Sequence, residues 1–380
     1  MHILLLPRAY PNKINSKSGN FVRNQADALA KQSITIGVLG VFNVSLLALF
    51  QPKNISKLGH FSQKDGSINI MGFLYLVLPK LHYLNNRIKT IIAKRIFNQY
   101  IEKFGKPDLI HLHTFEMGLL ALWAKEKYQI PFMVTEHTSS FVSNEAQKWH
   151  KKLAQKVYNS SIYNIGVSEI SCKDLKERFG GEFHYIPNFV DTSRFSLKKK
   201  SIKTHTQFIN VAYLNKVKNQ KLLIESFFKA FGKDENFSLT IVGTGEEQKD
   251  LEALILLYET NNIHIHGYAT QDELVELYHK SDYFVLSSKR ETFGLVLIEA
   301  MSCGLPVIST KCGGPESIIT NDKLGVLCSN NNIDALSDAL RNASQTTYNS
   351  GYIRNYTIQN FSYESLSLKL KQVYSKILSR

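Results

Sequence analysis

Short apolar runs rich in Ile, Val, Leu and Phe alternate along the chain with stretches whose apolar residues recur at helical spacing. In the first half the runs are HILLLP, ITIGVLG, DLIHLH, PFMVTEH and YNIGVS; in the second they are FINVAYL, SLTIVG, IHIHGY, YFVLSS and PVIST. Each precedes a stretch with a helical period, and strand-then-helix alternation predicts doubly wound α/β domains with mostly parallel sheets. The segment YIPNFVDTSRFSLKKKSIKTHTQ keeps no clean period and carries proline, serine and a lysine run, so it reads as a linker, with a second domain beginning near Asn188. Ligands sit beyond the carboxyl ends of strands in an open parallel sheet, so two such domains facing each other are expected to form a cleft. The segments PRAYPNKINSKSGNFVRNQADALA and TEHTSSF are the candidates to line it from the first domain.

Composition changes this picture little. A chain of 380 residues, 43% of them hydrophobic, suits a soluble two-domain protein with a large core. Cys172, Cys303, Cys312 and Cys328 form no C-x-x-C pair, and the opening MHILLLPRAYP has no basic segment and no cleavage site, so a cytoplasmic protein is expected. The apolar runs VLGVFNVSLLALF and INIMGFLYLVLPKL fall short of the about 18 to 20 residues that a bilayer span needs. Charge changes the picture more. Residues 1–187 carry 24 Lys and Arg against 12 Asp and Glu, whereas residues 188–380 carry 22 against 20. The surplus on the first half suggests an anionic partner, membrane or nucleic acid.

The stretch RETFGLVLIEAMSCGLPV sets Glu291 and Glu299 on either side of a turn that opens a helix. Free N–H groups at a helix start, here at Gly294, Leu295 and Val296, can hold phosphate oxygens. A carboxylate aimed at that phosphate would be repelled, whereas one aimed past it can accept hydrogen bonds from sugar hydroxyls. Glu299 lies about 7.5 Å along the helix from Gly294 at about 1.5 Å per residue, and Glu291 stays in the loop before it. The pattern predicts a ligand with hydroxyls flanking phosphate, which is the shape of a nucleotide sugar.

Together these residues resemble a retaining glycosyltransferase of family 4, and the resemblance covers nearly the whole chain. Its most specific element is Glu291 and Glu299 within ETFGLVLIEAMSCGLPVIST, followed by GGPESII with Glu316; PDLIHLH, TEHTSSF, GVSE, IPNFVD, IVGTGEE and SDYFVLSS support it. The resemblance implies a GT-B fold: Rossmann-like domains at residues 1–187 and 188–362, with a C-terminal helix at about 363–380 crossing back to the first. It also implies roles. Glu299 would bind ribose hydroxyls, Glu291 a donor-sugar hydroxyl, the backbone of Gly294, Leu295 and Val296 the diphosphate and sugar, and Lys218 the leaving diphosphate. Gly19 would approach the sugar diphosphate from the first domain, His137 would face donor sugar and acceptor, and backbone around Gly267 would meet the base. The family usually carries an arginine where this chain has Tyr213, so either Lys216 or Lys221 compensates or the diphosphate contact is reorganised.

Other motifs have blander readings. The pairs His111/His113 and His264/His266 put two imidazoles on one strand face, a metal half-site, but with no Cys or acidic cluster nearby they read better as strand histidines packed beneath helices. GTGEEQ begins like a dinucleotide fingerprint, yet Gln248 stands where its last glycine would be. The segment KLHYLNNRIKTIIAKRIFNQYIEKF spaces Leu84, Ile88, Ile91, Ile92 and Phe97 helically among Arg87, Lys89, Lys94 and Arg95; it suits an anionic leaflet and a packing helix equally. No nucleic-acid module is recognisable.

The expected activity is therefore hexosyl transfer from a nucleotide-diphosphate sugar, UDP- or GDP-linked, to a glycan or lipid-linked acceptor in surface polysaccharide or glycolipid synthesis. It would need no metal or cofactor and would work at the inner face of the cell membrane. The alternatives are a nucleotide-sugar epimerase, a phosphorylase, for which no cofactor-lysine motif is seen, and a non-catalytic nucleotide-sugar-binding peripheral membrane protein.

Overall fold

The computed structural model describes residues 1–15, 18–44, 52–77, 82–137, 148–197 and 205–379. Ser45 to Phe50 of the first long apolar run, Thr138 to Phe141 of TEHTSSF, and Lys198 to Thr204 of the linker lie outside the described residues. The chain divides into two units, one of Met1–Val167, Cys172–Ile186 and Ser367–Arg380, the other of Ser168–Ser171 and Pro187–Leu366.

The first unit is built on a sheet of eight strands: β1 (His2–Pro7), β2 (Thr35–Val44), β3 (Gly59–Asp65), β4 (Ile68–Leu76), β5 (Leu109–His113), β6 (Phe132–Glu136), β7 (Asn164–Gly166) and β8 (His184–Tyr185). Their order is β3-β4-β2-β1-β5-β6-β7-β8. All neighbours run parallel except β3 and β4. Side chains alternate faces along a strand, and β1 feeds a core on each side of the sheet: Leu4 and Leu6 pack with Phe97, Leu112 and Val134, while Ile3 and Leu5 pack with Ile36, Val38 and Leu370. Burial on both faces is why HILLLP reads as an unbroken apolar run rather than an alternating one.

Helices α1 (Asn20–Ala30), α2 (His82–Phe104), α3 (Gly118–Tyr128), α4 (Lys148–Ser160) and α5 (Glu169–Phe179) join these strands. The second unit carries β9 (Thr206–Val211), β10 (Phe237–Val242), β11 (Ile263–Gly267), β12 (Tyr283–Leu286), β13 (Val307–Thr310) and β14 (Gly325–Cys328), with α6 (Gln220–Phe231), α7 (Gln248–Leu257), α8 (Gln271–Lys280), α9 (Leu295–Ser302), α10 (Ile333–Gln345) and α11 (Ser350–Phe361); α12 (Tyr363–Leu378) starts there and belongs from Ser367 on to the first unit. Its sheet is wholly parallel, in the order β11-β10-β9-β12-β13-β14.

The doubly wound expectation holds for both units, with local exceptions. After β2 the described residues form no α-helix but a short 3-10 turn (Pro52–Lys57) and then a hairpin of β3 and β4, turned at Gly66-Ser67. Gly66, at φ 59°, opens this two-residue loop, and Gly-Ser between two strands is a hairpin signal. It was hidden because the polar GHFSQKD strand has only one buried side chain, Phe61, and so shows no apolar run. β8 and β14 are missing from the expected strands: β8 has two residues and carries no period, and in the edge strand β14 only Gly325 and Cys328 are buried, so no long apolar run marks it. The basic segment forms α2, whose Ile88, Ile92 and Phe97 pack into the core while Leu84 and Ile91 stay exposed. The two H-x-H pairs differ. His111 and His113 are buried as expected, whereas His264 and His266 lie exposed on β11, which is an edge strand with no neighbour to cover that face.

The C-terminal helix closes the first unit. Leu370 and Tyr374 of α12 enter the core with Ile3 and Leu5, and the Tyr374 hydroxyl lies 2.7 Å from Nδ1 of buried His111. The other ring nitrogen of His111 meets Thr135 Oγ1, also at 2.7 Å. Tyr374→Phe keeps the ring and strands one imidazole nitrogen, so urea unfolding should report a loss of about 1–3 kcal/mol, the cost of an unsatisfied buried polar group.

Candidate active site

In the second unit, Gly294 ends the loop after β12 and caps α9 in the left-handed conformation, φ 101° and ψ 62°. A side chain would be strained there by backbone angle and by space, since a Cβ would stand 2.9 Å from Leu297 Cδ1. No side chain caps this helix, which leaves the first N–H groups of α9 to an outside acceptor. The loop before it is pinned by backbone bonds from Glu291 N–H to Cys312 O, 2.9 Å, and from Gly314 N–H to Glu291 O, 2.7 Å. Glu316 accepts from the Gly313 N–H with both oxygens, at 3.1 and 3.0 Å. That is a concrete task for the third glutamate of the motif: it fixes the loop on which Glu291 rests.

Lys218 arrives from the loop after β9. Asn215 accepts from the N–H groups of Val217 and Lys218 at 3.1 and 3.0 Å, and the Ser287 hydroxyl donates to Lys218 O at 3.0 Å. Held so, the Lys218 ammonium pairs directly with the Glu291 carboxylate, both groups being mostly buried. The sequence expectation gave these two residues separate tasks on a ligand; the structure brings them into contact. Tyr213, at the usual arginine position, is largely exposed and its hydroxyl bonds to Glu246. Lys221 pairs with Glu225 at 3.8 Å, and Lys216 is exposed.

Glu299 lies on the first turns of α9, between the buried residues Leu297, Ile298, Ala300 and Met301 of the same helix. Burial raises its pKa to about 7, against which a 3.3 Å hydrogen bond from the Tyr278 hydroxyl acts. Tyr278, buried on α8, was not anticipated; it stands far from Glu299 in sequence and carries no motif. Gly267 closes β11 with φ 80° and open space around its Cα, and its carbonyl accepts from the Gly243 N–H at 2.8 Å.

In the first unit the structure brings Gly19 and His137 together through one aromatic ring. Gly19 caps α1 at φ 71°, and a Cβ there would lie 2.2 Å from Ala9 O, so the loop after β1 closes only around glycine. Two residues on, Phe21 meets the His137 ring edge-on at 5.2 Å. His137 Nε2 is 3.2 Å from His113 Nδ1. Burial first, and neighbouring imidazoles second, push His113 well below the usual histidine range, and His111 falls to about 3 by the same causes. Both are therefore neutral at physiological pH. Beside them, buried Glu136 accepts from the Tyr158 hydroxyl at 2.7 Å and from the Phe115 N–H at 3.2 Å, fixing the end of β6 on which His137 sits.

Comparison with known proteins finds glycosyltransferases. The family model described as Glycosyltransferase Family 4 matches residues 18–194, and that described as Glycosyl transferases group 1 matches residues 192–359. Among curated proteins, an uncharacterised glycosyltransferase of Methanocaldococcus jannaschii is 26% identical over 307 residues, covering 79% of this chain and 84% of that one. The alpha-monoglucosyldiacylglycerol synthase of Acholeplasma laidlawii is 27% identical over 302 residues, covering 71% and 74%. Among solved structures, a sucrose-phosphate synthase from Thermosynechococcus elongatus superposes over 100% of both chains with a TM-score of 0.78 at 17% identity. HepE of Anabaena in complex with UDP covers 99% of this chain and 100% of its own, at a TM-score of 0.73 and 17% identity. Both are likenesses of fold.

The raised pKa of Glu299 gives a test in the ligand-free protein. Between about pH 4.5 and 7 the folded chain keeps a proton that the unfolded chain releases, so this group's contribution to stability falls as pH rises and is fully lost above 7. Glu299→Gln removes the penalty. Its unfolding free energy relative to wild type should climb by up to about 3 kcal/mol from pH 4 to pH 8; parallel pH profiles would place the carboxylate in a polar setting instead.

Proposed function

This chain belongs to glycosyltransferase family 4, with the GT-B fold, and on that premise we propose that it transfers a hexose from a nucleotide-diphosphate sugar with retention of configuration. The observation that carries the reading is the glycine-capped start of α9, open to an anion and flanked by Glu291 and Glu299. Diphosphate oxygens take the free N–H groups of Leu295 and Val296, Glu299 accepts from the ribose hydroxyls, and backbone around Gly267 meets the base. UDP is bound by the similar HepE, and UDP or GDP is the base class proposed here.

Lys218 begins paired with Glu291. An arriving diphosphate offers its ammonium a second anionic partner, while the Glu291 carboxylate turns to a donor-sugar hydroxyl. As the bond from the anomeric carbon to the phosphate oxygen breaks, Lys218 and the helix N-terminus stabilise the growing charge on the leaving diphosphate. The acceptor oxygen bonds the anomeric carbon from the same face, and its proton passes to the departing phosphate oxygen. No protein nucleophile is used, and these cationic and dipolar groups do the work of a divalent metal. Gly19 lets the first-unit loop come close to the sugar diphosphate, and His137, oriented by neutral His113, holds a sugar hydroxyl.

The acceptor is a glycan or a lipid-linked glycan, and the protein works on the cytoplasmic face of the membrane. Among the described residues no helix is long and apolar enough to cross a bilayer, so membrane attachment would rest on the basic first half. Vesicle co-sedimentation should recover more protein with anionic than with neutral lipid, and equal recovery would remove the membrane from the proposal.

The donor reading is tested by calorimetry with UDP, GDP, ADP and their glucose conjugates in EDTA, on wild type and Glu299→Ala. One nucleotide should bind wild type at least about tenfold more tightly than the variant, the worth of one charge-assisted hydrogen bond. Its affinity should also rise as pH increases through 7, because ribose hydroxyls favour the ionised carboxylate. Absence of binding by every nucleotide would overturn the donor site. Binding without sugar transfer to any acceptor, and unaffected by loss of His137, would favour the non-catalytic alternative.

A further inference from the structure

The first unit has its own cavity, of about 280 Å³, that none of the preceding roles uses. It lies at the carboxyl ends of β1, β2, β4 and β5, lined by Arg8, Asn43, Tyr75 and the turn Phe115–Met117 that follow or end those strands. β1 and β5 are adjacent strands whose connections leave in opposite directions across the sheet, so the cavity sits at the topological switch point, where open parallel sheets bind ligands. Its volume is near the lower end of the about 300–1,000 Å³ usual for small-molecule sites, enough for one sugar-sized ligand rather than an oligosaccharide.

The lining has a definite chemistry. Asn85, Asn86 and Lys89, three and four residues apart, present one face of α2 to it. Arg8 pairs with Glu116 at 3.4 Å, which leaves Lys89 as a second cation facing a single carboxylate. Lys89 makes no ion pair with a described residue, and burial lowers its pKa, opposed by Glu116 and reinforced by Arg8. A half-buried ammonium without a close counter-ion is costly, and it is kept where a ligand supplies the missing charge. Trp149 and His150 also line it at the start of α4, their rings 3.8 Å apart between centroids and tilted by 32°, so that Trp149 has one ring face left against which sugar C–H groups can pack. Amides, two cations and an aromatic wall suit a ligand with hydroxyls, one negative charge and an apolar ring face.

We propose that this cavity binds a small polyhydroxylated anion, a sugar or polyol carrying a phosphate or a carboxylate, with Lys89 and Arg8 on the charged group and the asparagines on the hydroxyls. Its placement as part of the acceptor rests on the glycosyl-transfer reading; its occupancy by such an anion does not.

Trp149 supplies the reporter. The chain has two tryptophans, and Trp123→Phe leaves Trp149 as the sole emitter. In that background, titration with glucose 6-phosphate, glycerol 3-phosphate, glucuronate, inorganic phosphate and glucose should give a saturable change of emission with at least one of the first three. The same probe should bind at least about tenfold more weakly to Lys89→Met. A response to the phosphates alone, or to glucuronate alone, identifies the anionic group. Removing an unpaired, half-buried charge should also raise the melting temperature of ligand-free Lys89→Met, which establishes that the variant is folded. Glucose binding as tightly as its charged counterparts, inorganic phosphate binding as tightly as the sugar phosphates, no response to any probe, or full affinity in Lys89→Met would each overturn the proposal. Calorimetry with the donor nucleotide on the same variant separates the two readings. Nucleotide binding that survives Lys89→Met leaves the donor site standing whatever the anion does, and anion binding without any nucleotide affinity leaves the cavity standing alone.

Discussion

A parallel strand buried on both faces has no side chain to spare for chemistry. Every residue of β1 after His2 is packed into one core or the other, and the same holds throughout β5, β6 and β13. Reactive groups are therefore driven to the carboxyl ends of the strands, where the loops begin. Gly19, Arg8, His137, Lys218, Glu291 and Gly294 all sit in such loops or one step beyond them. Burial of the sheets comes first, and the sites are what the cores leave uncovered.

The two units use that constraint with opposite charge logic. In the second, the acids are tied to a cation, to backbone or to apolar packing: Glu291 engages Lys218, Glu316 ties down the loop, and burial raises the pKa of Glu299 to about 7. In the first, buried polar groups are neutral or paired. His111 and His113 are kept uncharged, Glu136 has two donors, and His111 spends both nitrogens on Tyr374 and Thr135. Lys89, half-buried and without an ion pair to a described residue, is what makes the neighbouring cavity informative.

Glycine does different work at its two decisive positions. At Gly19 the left-handed backbone, φ 71°, is joined by a backbone clash, because the carbonyl of Ala9 occupies the region where a Cβ would go. At Gly294 the limit is conformation as well, since only a left-handed residue turns the chain from the pinned loop into α9 with its N–H groups uncapped. Both glycines stand one residue before a helix, and both helices begin without a side-chain cap.

The sequence by itself determined the fold class, most strands and the Glu291 to Glu299 motif, because these are written in local period and spacing, which survive without knowledge of contacts. It left out the β3–β4 hairpin, whose outer strand is too polar to announce itself, and the edge position that exposes His264 and His266. Tertiary structure alone decided the partnerships: Lys218 with Glu291, Tyr278 with Glu299, Tyr374 with His111, His113 with His137. It also decided that Lys89, read in sequence as one charge of a basic helix, turns into a cavity at the end of the sheet. Each of these joins residues far apart in the chain, and the packing of whole elements, rather than any spacing along them, sets which side chains meet.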